Sequence, residues 1–171
     1  MHTPYVGLPE IADSLVEILD QRGRPLLLMP KQTALVKNMP HRVALVSLRD
    51  RGGRQWLAHP RRSKPGKPRC LDFSARGQVL AGEAQADAAA RLLHETLGLA
   101  DAKAVQRAVL PPLASEGACR FTLFTAVQRS GQASFETEGL FVDADELAGL
   151  AEHFPDLLSP CLHWCVQNGY V

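Results

Sequence analysis

Residues 77–99 read GQVLAGEAQADAAARLLHETLGL, a glycine-bearing turn that runs directly into a segment rich in alanine and leucine. The segment 85–97 contains neither glycine nor proline and is followed by Gly98, so it predicts a helix with a glycine C-cap. Apolar residues at helical spacing predict one buried stripe on this helix. The stripe consists of Ala86, Ala89, Ala90, Leu93 and Leu97.

Charged residues recur every four positions in the same stretch, at Glu83, Asp87, Arg91 and Glu95. Asp87 and Glu95 can each pair with Arg91 one helical turn away, which is worth about 0.2–0.5 kcal/mol per exposed pair. At the helix start, the charge of Glu83 is favoured by the helix dipole. An ordinary salt-bridged helix face therefore explains the spacing as well as a functional site does.

The remainder of the chain predicts short strands and further helices, which indicates an α/β or α+β sandwich rather than a helical bundle. A polar turn at 20–24 between two apolar runs predicts a hairpin of 15–19 with 25–29. Further strands are predicted at 41–48, 55–59, 71–75, 104–110, 119–127 and 140–142, and further helices at 144–152 and 159–167.

Length and composition exclude several classes of protein. A chain of 171 residues with 46% hydrophobic and 22% charged residues is typical of one globular domain rather than a disordered segment. The net charge of +1 gives no general attraction to nucleic acid or membranes. The apolar runs are far shorter than the roughly 20 residues of a membrane span, and no secretory signal is visible. Four cysteines do not form a disulfide framework. The sequence thus predicts a cytoplasmic protein.

The stretch 77–99 resembles the signature of the Nudix (MutT-like) hydrolases, G-x5-E-x7-R-E-U-x-E-E-x-G-U with U an aliphatic residue, and we call it the box. The matching positions are Gly77, Glu83, Arg91, Leu93, Glu95, Gly98 and Leu99. Upstream, 41–48, 64–66 and 71–74 resemble the Nudix branch related to isopentenyl diphosphate isomerase. The likeness covers 15–99 and continues more loosely to about 147. It implies a single Nudix domain over 1–171, an α/β/α sandwich with a mixed central sheet.

The resemblance also implies a divalent-metal site on the box helix, and here the chain departs from the family. Three glutamates hold Mg²⁺ or Mn²⁺ against a diphosphate in the family, because these ions take hard oxygen ligands. The corresponding residues are Leu92, Glu95 and Thr96, so one carboxylate remains. The resemblance implies Glu95 as the main metal ligand, Glu83 as a supporting ligand and Arg91 as the residue that orients them.

Other residues could complete such a site. Glu136 and Glu138 lie where many Nudix proteins bring in a distant glutamate, so a site rebuilt from Glu83, Glu95 and one of these two is one interpretation. Two solvated loop carboxylates are the alternative. The related isomerase needs a cysteine in the stretch that here reads LDFS, so isomerase activity is not expected; Cys70 is predicted to lie in the core.

A basic segment precedes the box. Seven Lys or Arg residues and no acidic residue lie between 51 and 69. Four of them are predicted to bind the phosphates of a small-molecule substrate; they are Arg61, Arg62, Lys64 and Lys67. A solvated loop is the alternative, and nucleic acid is a weaker one because no aromatic residue interleaves the loop to stack on bases.

Near the C-terminus, CLHWC at 161–165 has two cysteines and a histidine. On a helix Cys161 and Cys165 share a face while His163 points elsewhere, and no second ligand pair is spaced for zinc. Two thiols in the core are therefore predicted rather than a zinc site.

Two functions follow from these expectations. The first is a cytoplasmic Nudix-type hydrolase that cleaves a diphosphate linkage in a nucleotide or related phosphoanhydride with Mg²⁺ or Mn²⁺, weakened by the two replacements. The second is a catalytically impaired Nudix fold that binds a phosphorylated ligand or a protein partner. A divalent ion at Glu95 would favour the first, and Leu92 packed over that position would favour the second. A homodimer is a further expectation, since dimers are common among the proteins that the chain resembles.

Overall fold

A computed structural model describes residues 15–59, 69–129, 135 and 138–171. Its strands are β1 Leu15–Leu19, β2 Pro25–Pro30, β3 Arg42–Arg49, β4 Gln55–Ala58, β5 Ala75–Gln78, β6 Ala104–Val109, β7 Arg120–Val127 and β8 Gly139–Val142. Its helices are α1 Lys31–Val36, α2 Gln85–Leu97, α3 Ala144–His153 and α4 Pro160–Gln167. Short 3-10 turns lie at Ala114–Glu116 and Pro155–Leu157.

Six strands form a mixed central sheet in the order β6-β7-β3-β4-β8, with β5 paired to the first half of β3. Strands β3 and β7 run parallel from the Arg42–Arg120 pair to the Arg49–Val127 pair. The other pairings are antiparallel. The predicted mixed sheet is therefore confirmed.

Both faces of the central sheet are covered by helices. Side chains of a strand alternate between the two faces, so Leu45 and Leu123 join a core with α3 and α4, while Ala44 and Phe124 join a core with α2. This arrangement is the expected α/β/α sandwich. None of the described helices is long and apolar enough to cross a membrane.

Helix α2 has the predicted bounds and ends at Gly98 in the left-handed conformation, with a φ of 69°. Its buried residues are Ala88, Ala89, Leu92, Leu93 and Leu97. The predicted stripe was wrong at Ala86, which is exposed, and at Ala90, which is half-buried. The buried face is turned toward Leu92 because this apolar side chain packs against β5.

The predicted hairpin is confirmed as β1 and β2, which form a separate two-stranded sheet. It is fastened to the central sheet by the Arg42–Glu17 ion pair, 2.5 Å long, and by a backbone bond from Leu19 N to Pro40 O. Helix α1 follows β2 and was missed by the sequence analysis, because six residues without a side-chain cap leave no periodic signal.

The strand predicted at 71–75 lies instead at Ala75–Gln78. Before β5, Ser74 Oγ donates to Trp56 O and accepts from Leu48 N. These side-chain bonds take the place of backbone pairing between strands at this point. Cys70 is only half-buried, contrary to the expected core position, and its thiol lies 3.5 Å from Asp156 O.

The C-terminal helix agrees with its prediction. The Ser159 hydroxyl accepts from Leu162 N at 3.3 Å and caps α4. Cys161 and Cys165 are fully buried free thiols in the core below α3 and α4, so the prediction of core cysteines is confirmed.

Candidate functional site

Arg91 on α2 joins the helix to the loop that precedes it. Its Nε donates to Glu83 Oε1 at 2.7 Å and its Nη2 donates to Glu83 Oε2 at 3.0 Å, a bidentate pair. The same Nη2 donates to Gln78 O at 2.9 Å, at the end of β5. From Nη1 a longer bond of 3.1 Å reaches Glu95 Oε2. The structure therefore brings together the three residues that the sequence analysis selected, and we call this network the Arg91 clasp.

Both carboxylate oxygens of Glu83 accept hydrogen bonds within the clasp. Besides the two bonds from Arg91, its Oε2 accepts from Leu80 N at 2.9 Å. Burial by itself raises the pKa of Glu83, but the hydrogen bonds from Arg91 and Leu80 N outweigh burial and leave this pKa lowered. The hydrogen bonds that Arg91 donates to Glu83 in turn raise the pKa of Arg91. Both groups are therefore charged at neutral pH, and each carboxylate oxygen of Glu83 already has a partner.

Leu92 is packed tightly against the backbone of β5, with 6% of its surface exposed. A Cβ atom built on Gly77 would overlap Leu92 Cδ2 and would lie 3.4 Å from Cδ1. Only a glycine at position 77 allows this approach. An apolar side chain thus fills the position where the family resemblance implies the first metal-binding carboxylate.

The donors on this helix face do not fit the family's metal cluster. Of the three positions, Glu95 alone carries a carboxylate, and one of its oxygens bonds Arg91. Thr96 contributes a neutral hydroxyl and Leu92 contributes nothing. Throughout the described ranges, no group of three or more His, Cys, Asp or Glu side chains is placed to hold a metal ion. A magnesium ion needs several hard oxygen ligands. This face offers one carboxylate, Glu95, and one of its two oxygens already accepts a hydrogen bond from Arg91.

Two expected partners lie outside the clasp. Asp87 is exposed and does not pair with Arg91, because Glu83 takes the guanidinium edge that Asp87 was expected to meet. Glu138 is exposed and lies 3.8 Å from Arg69, at the end of the basic segment. The remaining candidates fall outside the described residues; they are Glu136, Arg61, Arg62, Lys64 and Lys67.

An aromatic cluster on the α2 side of the sheet was missed by the sequence analysis. Trp56 and Phe141 face each other across β4 and β8, with ring centroids 5.0 Å apart. Phe135 lies 4.6 Å from Trp56, and the Arg54 guanidinium lies over the Phe141 ring. The cluster closes the sheet edge beside the α2 core. The cluster depends on the register between β4 and β8, which cannot be read from the sequence.

A buried thiol–imidazole pair was also missed. Cys119 Sγ lies 3.6 Å from His41 Nδ1, and Nδ1 lies 2.7 Å from Met39 O. Burial raises the pKa of Cys119, but the hydrogen bond between its thiol and His41 outweighs burial and leaves this pKa lowered. Cys119 belongs to the core below α3 and α4, so the pair lies on the opposite face of the sheet from α2.

Comparisons with known proteins agree with this geometry, although no protein-family model matches the chain. An uncharacterized Nudix hydrolase of Pseudomonas aeruginosa is 34% identical over 88 residues, which are 52% of this chain and 52% of that protein. The chain spans about half the length of the curated relatives it matches.

Solved structures show the same fold. DR0079, a hypothetical Nudix protein of Deinococcus radiodurans, is similar with a TM-score of 0.72 and 19% identity, over 92% of this chain and 99% of that one. The MutT protein of Methanosarcina mazei is similar with a TM-score of 0.54 and 14% identity, over 75% and 94%. Local sequence identity to Nudix hydrolases, the sandwich fold and the box residues gathered around Arg91 agree, and the chain has the fold of the Nudix proteins.

Proposed function

We propose that this Nudix protein binds a small compound with a diphosphate linkage, a nucleotide or a related phosphoanhydride, and that its box cleaves the linkage slowly or not at all. The observation that carries the proposal is the burial of Leu92 against Gly77. This packing favours the impaired form of the Nudix fold over an efficient hydrolase.

The clasp gives the physical reason for weak catalysis. Arg91 and Leu80 N occupy both oxygens of Glu83, so this residue supports the loop rather than a metal ion. Glu95 is left as the single ligand on the helix. In Nudix-type hydrolysis a divalent ion neutralises phosphate charge and activates the attacking water, and one carboxylate holds such an ion weakly.

Retention of the ligand is supported by the basic segment. Arg61, Arg62, Lys64 and Lys67 lie in the sequence between β4 and β5. The last residue of β4, Ala58, and Asp72, which precedes β5, are joined by two backbone bonds, and β5 carries Gly77 of the box. From this position in the sequence we infer that the four cations contact the phosphates of a ligand.

A weak metal-dependent hydrolase is the second candidate. Glu95 is 55% exposed at its side chain, and its Oε1 lies outside the bond to Arg91. A Mg²⁺ or Mn²⁺ ion could then be held by Glu95 together with substrate phosphates and water. In this form Glu95 is the metal ligand, while Glu83 and Arg91 are positioning residues.

Calorimetric titration with Mg²⁺ and Mn²⁺ separates the two candidates. The wild type, Glu95→Gln and the double variant Leu92→Glu/Thr96→Glu would be compared, with phosphate release from a panel of nucleoside-diphosphate compounds in the same buffers. We expect the wild type to bind at least one panel member, to take up no metal below millimolar concentration and to release no phosphate above the blank. The double variant should gain metal uptake.

The opposite result is equally clear. Metal uptake and turnover in the wild type that both vanish in Glu95→Gln would establish the hydrolase. A wild type that binds no panel member, with or without metal, would refute the ligand-binding proposal. Thermal unfolding of each variant shows whether the fold has survived the substitution.

A further inference from the structure

Strand β2 exposes apolar side chains along its length. Leu26, Leu27 and Leu28 are 65%, 49% and 57% exposed, and Leu35 and Val36 of α1 add exposed apolar surface beside them. Because side chains alternate along a strand, Leu27 lies on the face of the hairpin that α1 covers, while Leu26 and Leu28 lie on the other face. Both faces of β2 are therefore apolar at its edge, which favours pairing with another strand.

Within the described ranges β2 pairs only with β1, so its outer edge meets no other described strand. Leu15 O and Leu19 N of β1 bond to residues outside the hairpin. The backbone groups of a strand point to alternate sides, so those of Glu17, two residues from each, also point away from β2. Leu28 is the register partner of Glu17. Both members of such a pair point outward, so the N–H and C=O of Leu28 lie at the open edge.

We propose that β2 pairs antiparallel with β2 of a second copy of this chain, around a two-fold axis at Leu28. A two-fold axis is the usual symmetry of a protein that pairs with itself. In this register Leu28 faces Leu28, Leu27 faces Met29, and Leu26 faces Pro30 of the second copy. Every facing pair is apolar, which is the favourable condition for cross-strand contacts.

The residues that flank β2 are compatible with this register. Lys31 is placed beside Pro25 of the second copy, and Arg24 beside Gln32, so no like charges meet. Arg24 is also neutralised by Asp20, 2.9 Å away in its own chain. The prolines at both ends of β2 lack an N–H group, so they confine the pairing to the residues between them and oppose open-ended aggregation.

The surface area agrees with a dimer that dissociates on dilution. Leu26, Leu27 and Leu28 expose on the order of 300 Å² of apolar surface in each copy, so the pairing buries well below the roughly 1,200 Å² of a stable interface and predicts a weak dimer. The pairing also turns a two-stranded sheet, which is marginal by itself, into a four-stranded one. The inference does not depend on the proposed function, since β2 and the box belong to different sheets.

Analytical ultracentrifugation over a range of concentrations tests the interface. We expect a concentration-dependent dimer for the wild type. Leu28→Lys should raise the dissociation constant at least about tenfold, because it places two ammonium groups at the axis. Val105→Lys is the matched control: Val105 is also 57% exposed and also lies on an edge strand, β6. This variant should dimerise as the wild type does.

Amide hydrogen exchange of the wild type provides a second readout that needs no substitution. Exchange of the Leu28 N–H should slow as the protein concentration rises, while exchange of edge amides on β6 should not change. A wild type that stays monomeric throughout, a Leu28→Lys variant that dimerises unchanged, or equal loss in Val105→Lys would each overturn the proposal.

Discussion

Leu92 lies on the side of α2 that meets the backbone of β5 at Gly77, and little of its surface reaches solvent. A glutamate in the same place would bring a carboxylate into that contact or turn away from it. An unpaired carboxylate is costly to bury, whereas a leucine gains free energy from the packing. Position 92 can therefore either pack closely against β5 or supply a carboxylate to a metal ion, but not both.

The contact with Leu92 predicts the effect of a methyl group at position 77. Gly77→Ala should destabilise the protein by about 1–3 kcal/mol, because the buried Leu92 side chain must shift to accept a new Cβ. In a Leu92→Ala background the clash is relieved, so the double variant should be less destabilised than the two single effects added together. Urea denaturation of the four proteins measures this coupling, and strict additivity would contradict the close contact.

The Arg91 clasp predicts a pH-dependent contribution to stability. Because the pKa of Glu83 is lowered in the folded protein, its contribution is present above the ordinary glutamate pKa and is lost as pH falls through the lowered value. Glu83→Gln should cost about 1–2 kcal/mol at pH 7, and the difference from wild type should shrink in acid. Asp87→Asn, outside the clasp, is the control and should change stability little. A pH-independent loss in Glu83→Gln would argue against the charged pair.

At the scale of elements, α3 has a complete capping box at its N-terminus and a glycine of low helix propensity in its interior. Asp143 accepts from Glu146 N while Glu146 Oε2 accepts from Asp143 N, both at 2.8 Å, which is a capping box. Gly149 sits within the helix, and a Cβ added there would meet nothing within 4 Å. The cap therefore stabilises the helix, and Gly149 destabilises it relative to alanine.

Two substitutions in α3 should therefore act with opposite sign. Asp143→Ala should lower the free energy of unfolding by about 1 kcal/mol through loss of the cap. Gly149→Ala should raise it by about 0.5–1 kcal/mol, because alanine orders the helix at lower entropic cost and has space. Thermal denaturation of both variants checks the pair, and a destabilised Gly149→Ala would show that position 149 is closely packed.

At the scale of the whole molecule, Arg76 connects segments that are distant in sequence. Its guanidinium bonds Glu116 Oε2 at 2.5 Å and lies 3.7 Å from Asp72 Oδ2. Asp72 in turn accepts from Ser159 Oγ at 2.7 Å, at the cap of α4. Strand β5, the Ala114–Glu116 turn and the last helix are therefore held by one mostly buried ionic network.

Loss of the central charge should weaken the whole fold. Arg76→Met keeps the length of the side chain but leaves Glu116 and Asp72 without their cation, and should cost about 2–4 kcal/mol. Arg54→Met removes the exposed pair with Asp50, 2.8 Å long, and should cost well under 1 kcal/mol. Equal losses in the two variants, measured by chemical denaturation, would contradict the central role of Arg76.

Local patterns in the sequence were sufficient for most elements and for the likeness to the Nudix fold. The hairpin, the length of α2 and the cap at Ser159 depend on turn residues, helical spacing and capping, all of which act between near neighbours. The box positions likewise follow from fixed spacing along one helix, and they indicated the Nudix fold before any contact was known.

Contacts between distant segments decided the rest. The parallel pairing of β3 with β7, the burial of Leu92 against Gly77 and the preference of Arg91 for Glu83 over Asp87 all depend on how the loop, sheet and helix meet. Helix α1 exists because Ala34 packs on Val16 and Ile18 of β1 rather than because of its own sequence. Such contacts arise only on folding, since packing and desolvation overrule local preference.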